Sequence, residues 1–273
     1  MGAQTVVSDV ADELARRVAT GEYAPGDLMP SVRQVAEEFD MNRATAQLVL
    51  GRLESYGFVD AHRGRGFTVR DVRRAGGLDV YRRLFRLSMH APEVAAEMFG
   101  NIVAAERAIV LEALLDYTAA ERGIEPAVLT AAVDQLETQA SSAEPDRTRM
   151  LELEVGLVRL VLTDLGHAMQ RAVLNSVGEM LFEVPEAVEA YFAASADLHV
   201  LVWRALLAVW ESTAGPSQAQ LGAVRGSVRH VPREGAGQIR RTAGYGPGFR
   251  GAPAERVRLI RRRSPWPPPR ARR

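Results

Sequence analysis

The feature that most constrains this chain is a pair of short helical patterns separated by a tight turn, between residues 28 and 57. In the first pattern, apolar residues recur at the spacing of one helix face: Val32, Val35, Ala36 and Phe39. The residues Asp40-Met41-Asn42 then form the predicted turn. The second helix has an inward face of the same kind, formed by Ala46, Leu50 and Leu53. This layout predicts two packed helices, the second of which begins at a polar end.

The polar start of the second helix indicates contact with nucleic acid. Asn42 is placed to cap this helix by accepting hydrogen bonds from its free N–H groups. The polar residues of the first turns are predicted to face outward: Asn42, Arg43, Thr45 and Gln47. In the major groove of duplex DNA, arginine suits guanine, and asparagine or glutamine suits adenine. The sequence therefore predicts that this helix enters the major groove.

A hairpin is predicted directly after these helices. Gly57 ends the second helix, and the segments 58–61 and 66–69 have the composition of two short strands. The tip between them contains Arg63, Gly64 and Arg65, which suit contact with phosphate or the minor groove. An alternative interpretation is a small helical domain whose arginine-rich tip is only solvated. The order of the elements, the polar helix start and the basic tip together favour a winged helix-turn-helix.

These residues also resemble the DNA-binding domain of the GntR family of bacterial transcription regulators, from about residue 7 to residue 72. The resemblance rests on four short motifs: Pro30-Ser31-x-Arg33-x-x-Ala36, Asn42-Arg43-x-Thr45, Leu50-x-x-Leu53-x-x-x-Gly57 and Arg63-Gly64-Arg65-Gly66. It implies that Arg33, Arg43, Asn42, Thr45 and Gly64 contact DNA. The family often has arginine where this chain has Gln47, so the resemblance implies DNA binding but does not specify the operator sequence.

The composition excludes several classes of protein. The chain contains no cysteine and no lysine, so disulfides, thiolate metal sites and a lysine Schiff base are excluded. We find no nucleophile–base set and no phosphate loop, and we expect no enzymatic activity. No apolar run approaches the ~20 residues needed to span a bilayer, and the N-terminus does not have the pattern of a secretory signal. We therefore expect a cytoplasmic protein.

The end of the chain differs in composition from the rest. Residues 217–273 contain 14 arginines against two glutamates, a net charge of +12 in a chain whose formal charge is zero. From residue 233 onward Gly, Pro and Arg dominate and helical periodicity is lost, so we predict a disordered tail over 233–273. Such a tail binds nucleic acid nonspecifically, folds onto the acidic body of the protein, or is an unselected extension, and the sequence leaves all three open.

The middle of the chain is predicted to be an all-α domain. After the DNA-binding unit at 1–73 and a short linker, the domain is predicted over residues 78–232. Six or seven helical patterns lie between Leu78 and about Ala214, the longest from Leu151 to Phe182. This region is weakly similar to the helical effector domain of the FadR branch of the family. On that resemblance the candidate effector-binding residues are Glu112, Glu154, Arg159 and His199.

A bound metal is not predicted, although many members of that branch hold one with an Asp and three His. The first two ligand positions match Glu154 and Val158 here, and valine cannot bind a metal. His199 matches a later ligand position, whereas His230 is out of register. The alternative interpretation of His199 is a buried histidine that is hydrogen-bonded to a neighbour.

The fold class predicted overall is mainly α: a winged helix-turn-helix, a helical-bundle effector domain and a disordered basic tail. The predicted function is transcription regulation by a homodimer on a palindromic double-stranded DNA operator. Its effector would be a small organic acid or an acyl-CoA, with no cofactor. One alternative is a DNA-binding dimer with a degenerate helical domain that binds no effector. A fused aminotransferase-like enzyme is the other alternative, which the absence of lysine opposes.

Overall fold

The computed structural model describes residues 3–120, 123–193, 196–211 and 232–242. These residues fall into two compact units, which meet in sequence between Ser88 and Met89. The first unit contains five helices and a two-stranded sheet in its described part, and the second is helical throughout its described part. The predicted fold class, mainly α with an N-terminal winged helix-turn-helix, is confirmed for these ranges.

Three helices form the core of the first unit: α1 (Ala3–Ala19), α2 (Val32–Glu38) and α3 (Arg43–Ser55). Leu50 and Leu53 of α3 are fully buried, as the apolar spacing predicted, and Leu14 of α1 is fully buried as well. Helices α2 and α3 both begin at side-chain caps. Ser31 forms a capping box with Gln34 on α2, and Asn42 caps α3. The turn before α3 contains Asp40 with φ 48°, which reverses the chain between the two helices.

A buried cation ties α1 to α2. Arg17 is only 6% exposed, and its guanidinium donates to Glu13 at 2.9 Å and to Glu38 at 2.7 Å. Because the pairs are charged and shielded from water, they are stronger than surface ion pairs. This contact fixes α2 on the scaffold that also supports α3.

The predicted wing is present as an antiparallel hairpin. Strands β1 (Val59–His62) and β2 (Gly66–Val69) pair with Val59 opposite Val69 and His62 opposite Gly66. The segment before α2 joins the edge of β2, since the Met29 N–H donates to the Phe67 carbonyl at 2.8 Å. The hairpin is therefore anchored to the helical core at its base and leaves its tip exposed.

The first unit extends further than the predicted boundary at residue 73. A short helix, α4 (Val72–Ala75), is followed by α5 (Leu78–Ser88), which packs on α1. Arg86 donates to Asp12 at 3.0 Å, and the guanidinium of Arg83 lies 3.7 Å from the centre of the Tyr56 ring. These contacts place α5 in the first unit, whereas the sequence assigned it to the helical domain.

The second unit is built around the 28-residue helix α6 (Pro92–Ala119). The helices that follow it are α7 (Pro126–Ala140), α8 (Arg147–Asp164), α9 (Ala168–Phe182), α10 (Pro185–Tyr191) and α11 (Ala196–Glu211). The prediction of one long helix from Leu151 to Phe182 is wrong, because α8 and α9 are separate. Gly166 lies between them with φ 69°, a left-handed conformation that glycine adopts without strain.

A further helix corrects the prediction that disorder begins at residue 233. Helix α12 (Pro232–Thr242) packs against α6 and α10 in the second unit. Ile239 is fully buried, and Gly235 approaches so closely that an added Cβ would lie 2.4 Å from the Ala190 carbonyl oxygen. Residues 243–273 of the predicted tail lie outside the described residues.

Within the described ranges, no single helix is both long and apolar enough to cross a membrane. By length and composition alone, only α10 and α11 taken together as a bent pair would pass that test.

Candidate functional site

The first candidate site is the polar end of α3. Asn42 caps the helix as predicted: its side-chain oxygen accepts from the backbone N–H of Thr45 at 2.8 Å. Because the cap fixes the helix start, the residues of the first turns project from a defined position. Arg43 and Gln47 are exposed, Thr45 is half-buried, and the opposite face carries the core residues Ala46, Leu50 and Leu53.

The remaining predicted DNA-contacting residues are also exposed within the first unit. The Arg33 side chain on α2 is 66% exposed, and its guanidinium lies 3.8 Å from the Glu37 carboxylate. At the wing tip, Arg63, Gly64 and Arg65 are all exposed, and Gly64 has φ 76°. The Arg65 N–H donates to the His62 carbonyl at 3.0 Å, which closes the tip. These groups have the charge and exposure that phosphate contacts require.

A partly open cavity in the second unit is the other candidate site. Its volume is about 80 Å³, and helices α6, α8, α10 and α11 surround it. The apolar part of the lining comes from Val110, Leu114, Val158, Leu198, Val202, Trp203 and Leu206. The polar part consists of Glu106, Arg107, Glu154, Tyr191 and His199. An apolar cavity with a few converging polar groups is the usual form of a small-molecule site.

Two hydrogen-bonded pairs organise the polar part of the cavity. Nδ1 of His199 lies 2.9 Å and 3.1 Å from the two carboxylate oxygens of Glu154, and both side chains are buried. The Tyr191 hydroxyl donates to Glu106 at 3.2 Å. Nε2 of His199 has no hydrogen-bond partner among the residues that the structure describes. The interpretation of His199 as a buried, hydrogen-bonded histidine fits this geometry.

Burial changes the protonation of this cluster. Loss of hydration raises the pKa of Glu106 to about 7, and the negative charge of Glu154 acts in the same direction. Burial alone would lower the pKa of His199, but the neighbouring Glu154 carboxylate outweighs it and the pKa is raised. Burial and the Glu106 carboxylate raise the pKa of Tyr191 well above its usual value. Near neutral pH, Glu106 is therefore divided between its charged and neutral forms.

The structure brings together only two of the four predicted effector-binding residues. Glu154 and His199 line the cavity, whereas Glu112 is exposed on α6 and does not. Arg159 points instead to α9, where it donates to the Asn175 side-chain oxygen at 2.6 Å. Across the described residues, no group of three or more His, Asp or Glu side chains has an arrangement that could hold a metal ion.

Glu106, Arg107 and Tyr191 are the polar cavity residues that the sequence analysis missed. A signal for Glu106 was present, because it lies on the buried face of α6 that also contains Phe99 and Ile102. A single acid at a core position of a helix indicates a functional or paired group. Tyr191 had no comparable signal, since its contact with Glu106 joins positions 85 residues apart.

Known proteins match this chain mainly over its first unit. The family described as "Bacterial regulatory proteins, gntR family" matches residues 7–69. The HTH-type transcriptional regulator Mce2R of Mycobacterium tuberculosis is 40% identical over 81 residues, which are 30% of this chain and 34% of that protein. The mannosyl-D-glycerate transport/metabolism system repressor MngR of Escherichia coli is 29% identical over 73 residues, 27% of this chain and 30% of that protein.

A solved structure of Lar, which controls the expression of the Listeria monocytogenes agr system, aligns with 87% of this chain and 97% of its own. Its sequence identity is 14% and its TM-score is 0.48. The chain spans about a third of the length of the curated relatives it matches, and those matches concern the DNA-binding end. Over residues 7–69, the chain therefore carries the helix-turn-helix domain of the gntR family of bacterial regulatory proteins.

Proposed function

We propose that this chain is a transcription regulator that binds a specific sequence of duplex DNA. The observation that carries the proposal is the exposed, capped start of α3, which presents Arg43 and Gln47 beside the side chain of Thr45. The cap holds these groups in a fixed geometry, and reading base edges requires such a geometry. Asn42 accepts the cap hydrogen bond through its side-chain oxygen, so its amide N–H groups are available to donate to DNA.

The proposed assembly is a homodimer on a palindromic operator. Two copies of α3 would enter successive major grooves about one helical turn apart, and each wing would contact the flanking backbone. Arg33 would hold a phosphate or a base at the entry to each half-site. Footprinting with half-sites moved apart by single base pairs tests this arrangement, because only spacings near a whole helical turn keep both halves bound.

Replacement of Arg43 by alanine should weaken binding to the operator by about 1–3 kcal/mol and relax the sequence preference. The side chain is exposed, so the variant should fold normally. The matched control is Arg74→Ala, which removes an exposed arginine of α4 in the same unit. Gel shifts with the operator and with point-mutated operators measure both effects. Equal affinity and equal preference in Arg43→Ala and the control would contradict the assignment.

The wing should contribute through phosphate contacts. If both Arg63 and Arg65 contact phosphate, replacing them by alanine should reduce the slope of log K against log salt by about 2 units. A variant with Arg73 and Arg74 replaced by alanine removes the same charge elsewhere in the unit and should leave the slope nearly unchanged. An identical slope in the wing variant and the wild type would show that the tip does not contact DNA.

We further propose that this cavity of the second unit binds a small effector that changes operator affinity. Of the two effector classes, a compact organic acid suits the cavity better than an acyl-CoA. The volume of about 80 Å³ is below the ~300 Å³ at which drug-sized ligand pockets usually begin. Arg107 supplies a positive charge for a carboxylate, and a neutral Glu106 would donate a hydrogen bond to it. The effector would act by favouring one spacing between the DNA-binding first units of the two protomers.

The effector proposal makes a prediction about pH. An organic acid that accepts a hydrogen bond from neutral Glu106 should bind more tightly as the pH falls from 8 to 6, because the fraction of neutral Glu106 rises through its pKa of about 7. A thermal-shift screen with organic acids and acyl-CoAs at both pH values measures this. Stabilisation by none of the compounds would favour the alternative, a DNA-binding dimer whose helical domain binds no effector.

A further inference from the structure

Beside the exposed Arg43 and Gln47, the outward side of α3 carries a narrow apolar strip. The strip consists of Ala44, Leu48 and Gly51, which are spaced by four and three residues. Leu48 is 63% exposed, whereas the core residues on the opposite face of the same helix are fully buried. A single exposed leucine is ordinary on a protein surface. Its position matters here, because it lies beside Gln47 in the second turn of the helix proposed to enter the major groove.

We infer that Leu48, together with Ala44, contacts the 5-methyl groups of thymines in the operator. This inference rests on the proposed DNA-binding function and specifies the base pairs that the helix selects. In the major groove, thymine is the base that presents an apolar methyl group, and apolar side chains pack against it. A leucine side chain against cytosine or guanine would instead desolvate polar edges without forming hydrogen bonds to them.

The neighbours of Leu48 agree with this assignment. Gln47 lies next to it on the same exposed face, and glutamine pairs with the N6 and N7 atoms of adenine. Leucine and glutamine side by side therefore select A·T pairs at adjacent positions. The exposed cations Arg43, Arg63 and Arg65 in the same unit would meet phosphates or guanine. We thus assign to each half-site adjacent A·T pairs, with a thymine methyl facing Leu48.

The experiment separates the methyl group from every other property of the base pair. The full chain first selects its preferred duplex from a random library. Each selected thymine is then replaced by deoxyuridine, which pairs identically with adenine and lacks only the methyl group. Affinities for both forms are measured with the wild type and Leu48→Ala, and with Leu201→Ala as control. Leu201 is a matched leucine, because it is 65% exposed and lies on α11 in the second unit.

For the wild type and the control, we expect deoxyuridine to weaken binding about fourfold for each contacted methyl. The Leu48→Ala variant should bind the thymine duplex more weakly and lose most of the difference between thymine and deoxyuridine. Selection of no preferred sequence by the wild type would refute the proposed function itself. A selected sequence whose affinity does not change with deoxyuridine, or a methyl effect that persists unchanged in Leu48→Ala, would overturn the inference alone.

Discussion

Replacement of Ile239 by alanine should lower the free energy of unfolding of the second unit by about 2–5 kcal/mol, the usual cost of removing a buried isoleucine. Ile239 is fully buried between α12 and the helices it packs on, so the truncation leaves a cavity. Gly235 on the same helix fits against the Ala190 carbonyl, which limits how far α12 can move to refill the space. The measurement is denaturant unfolding followed by the fluorescence of Trp203 and Trp210, both buried in this unit.

The matched control is Arg241→Ala, which changes an exposed residue of the same helix. It should leave the free energy of unfolding within about 0.5 kcal/mol of the wild type.

A pair of truncated chains extends the test. A chain ending at residue 231 should lose the stability that α12 provides, whereas a chain ending at residue 242 should keep both stability and operator preference. Equal stability of the two truncated chains would show that α12 does not complete the unit.

Replacement of Glu106 by glutamine should abolish much of the pH dependence of the second unit's stability. The pKa of Glu106 is raised from 4.5 to about 7 because the side chain is buried near Glu154. Because the pKa of Glu106 is higher in the folded than in the unfolded state, the stability that depends on neutral Glu106 is fully present below about pH 4.5. This stability is lost as the pH rises through about 7, because the buried carboxylate then ionises. The loss amounts to about 3 kcal/mol between the two limits.

The Glu106→Gln variant stays neutral at every pH, and its amide oxygen still accepts from Tyr191. It should match the wild type near pH 4.5 and exceed it in stability by up to ~3 kcal/mol at pH 8. The control is Glu112→Gln, an exposed glutamate on the same helix α6. The Glu106 carboxylate also helps to raise the pKa of His199 and of Tyr191, so Glu106→Gln weakens both shifts, whereas Glu112→Gln leaves the whole cluster intact. Parallel stability curves for Glu106→Gln and Glu112→Gln would contradict the buried ionisation.

The first unit was predictable from the sequence because its signals are local. The spacing of Leu50 and Leu53, the Asn42 cap and the strands on either side of Gly64 involve residues close together in the chain. The assignment of α5 was not predictable in this way. It depends on the contact of Arg83 with Tyr56 and on Arg86 with Asp12, which joins positions 74 residues apart.

The second unit shows where composition misleads. Gly235 and the arginines of α12 resemble a disordered segment, yet the glycine is the residue that permits close packing on α10. The apolar periodicity of residues 151–182 continues across Gly166, so the break between α8 and α9 was missed. In the cavity, the resemblance indicated Glu154 and His199, whereas Glu106 follows from burial rather than from a motif.

The central claim is sequence-specific recognition of duplex DNA by the capped start of α3, and a competition measurement tests it most directly. The full chain is titrated at physiological salt with its selected duplex and with a scrambled duplex of equal length and composition. We predict that the selected duplex binds at least ~10³-fold more tightly, as specific protein–DNA complexes generally do, and that Arg43→Ala reduces this ratio. Equal affinity of the wild type for the two duplexes would contradict the claim.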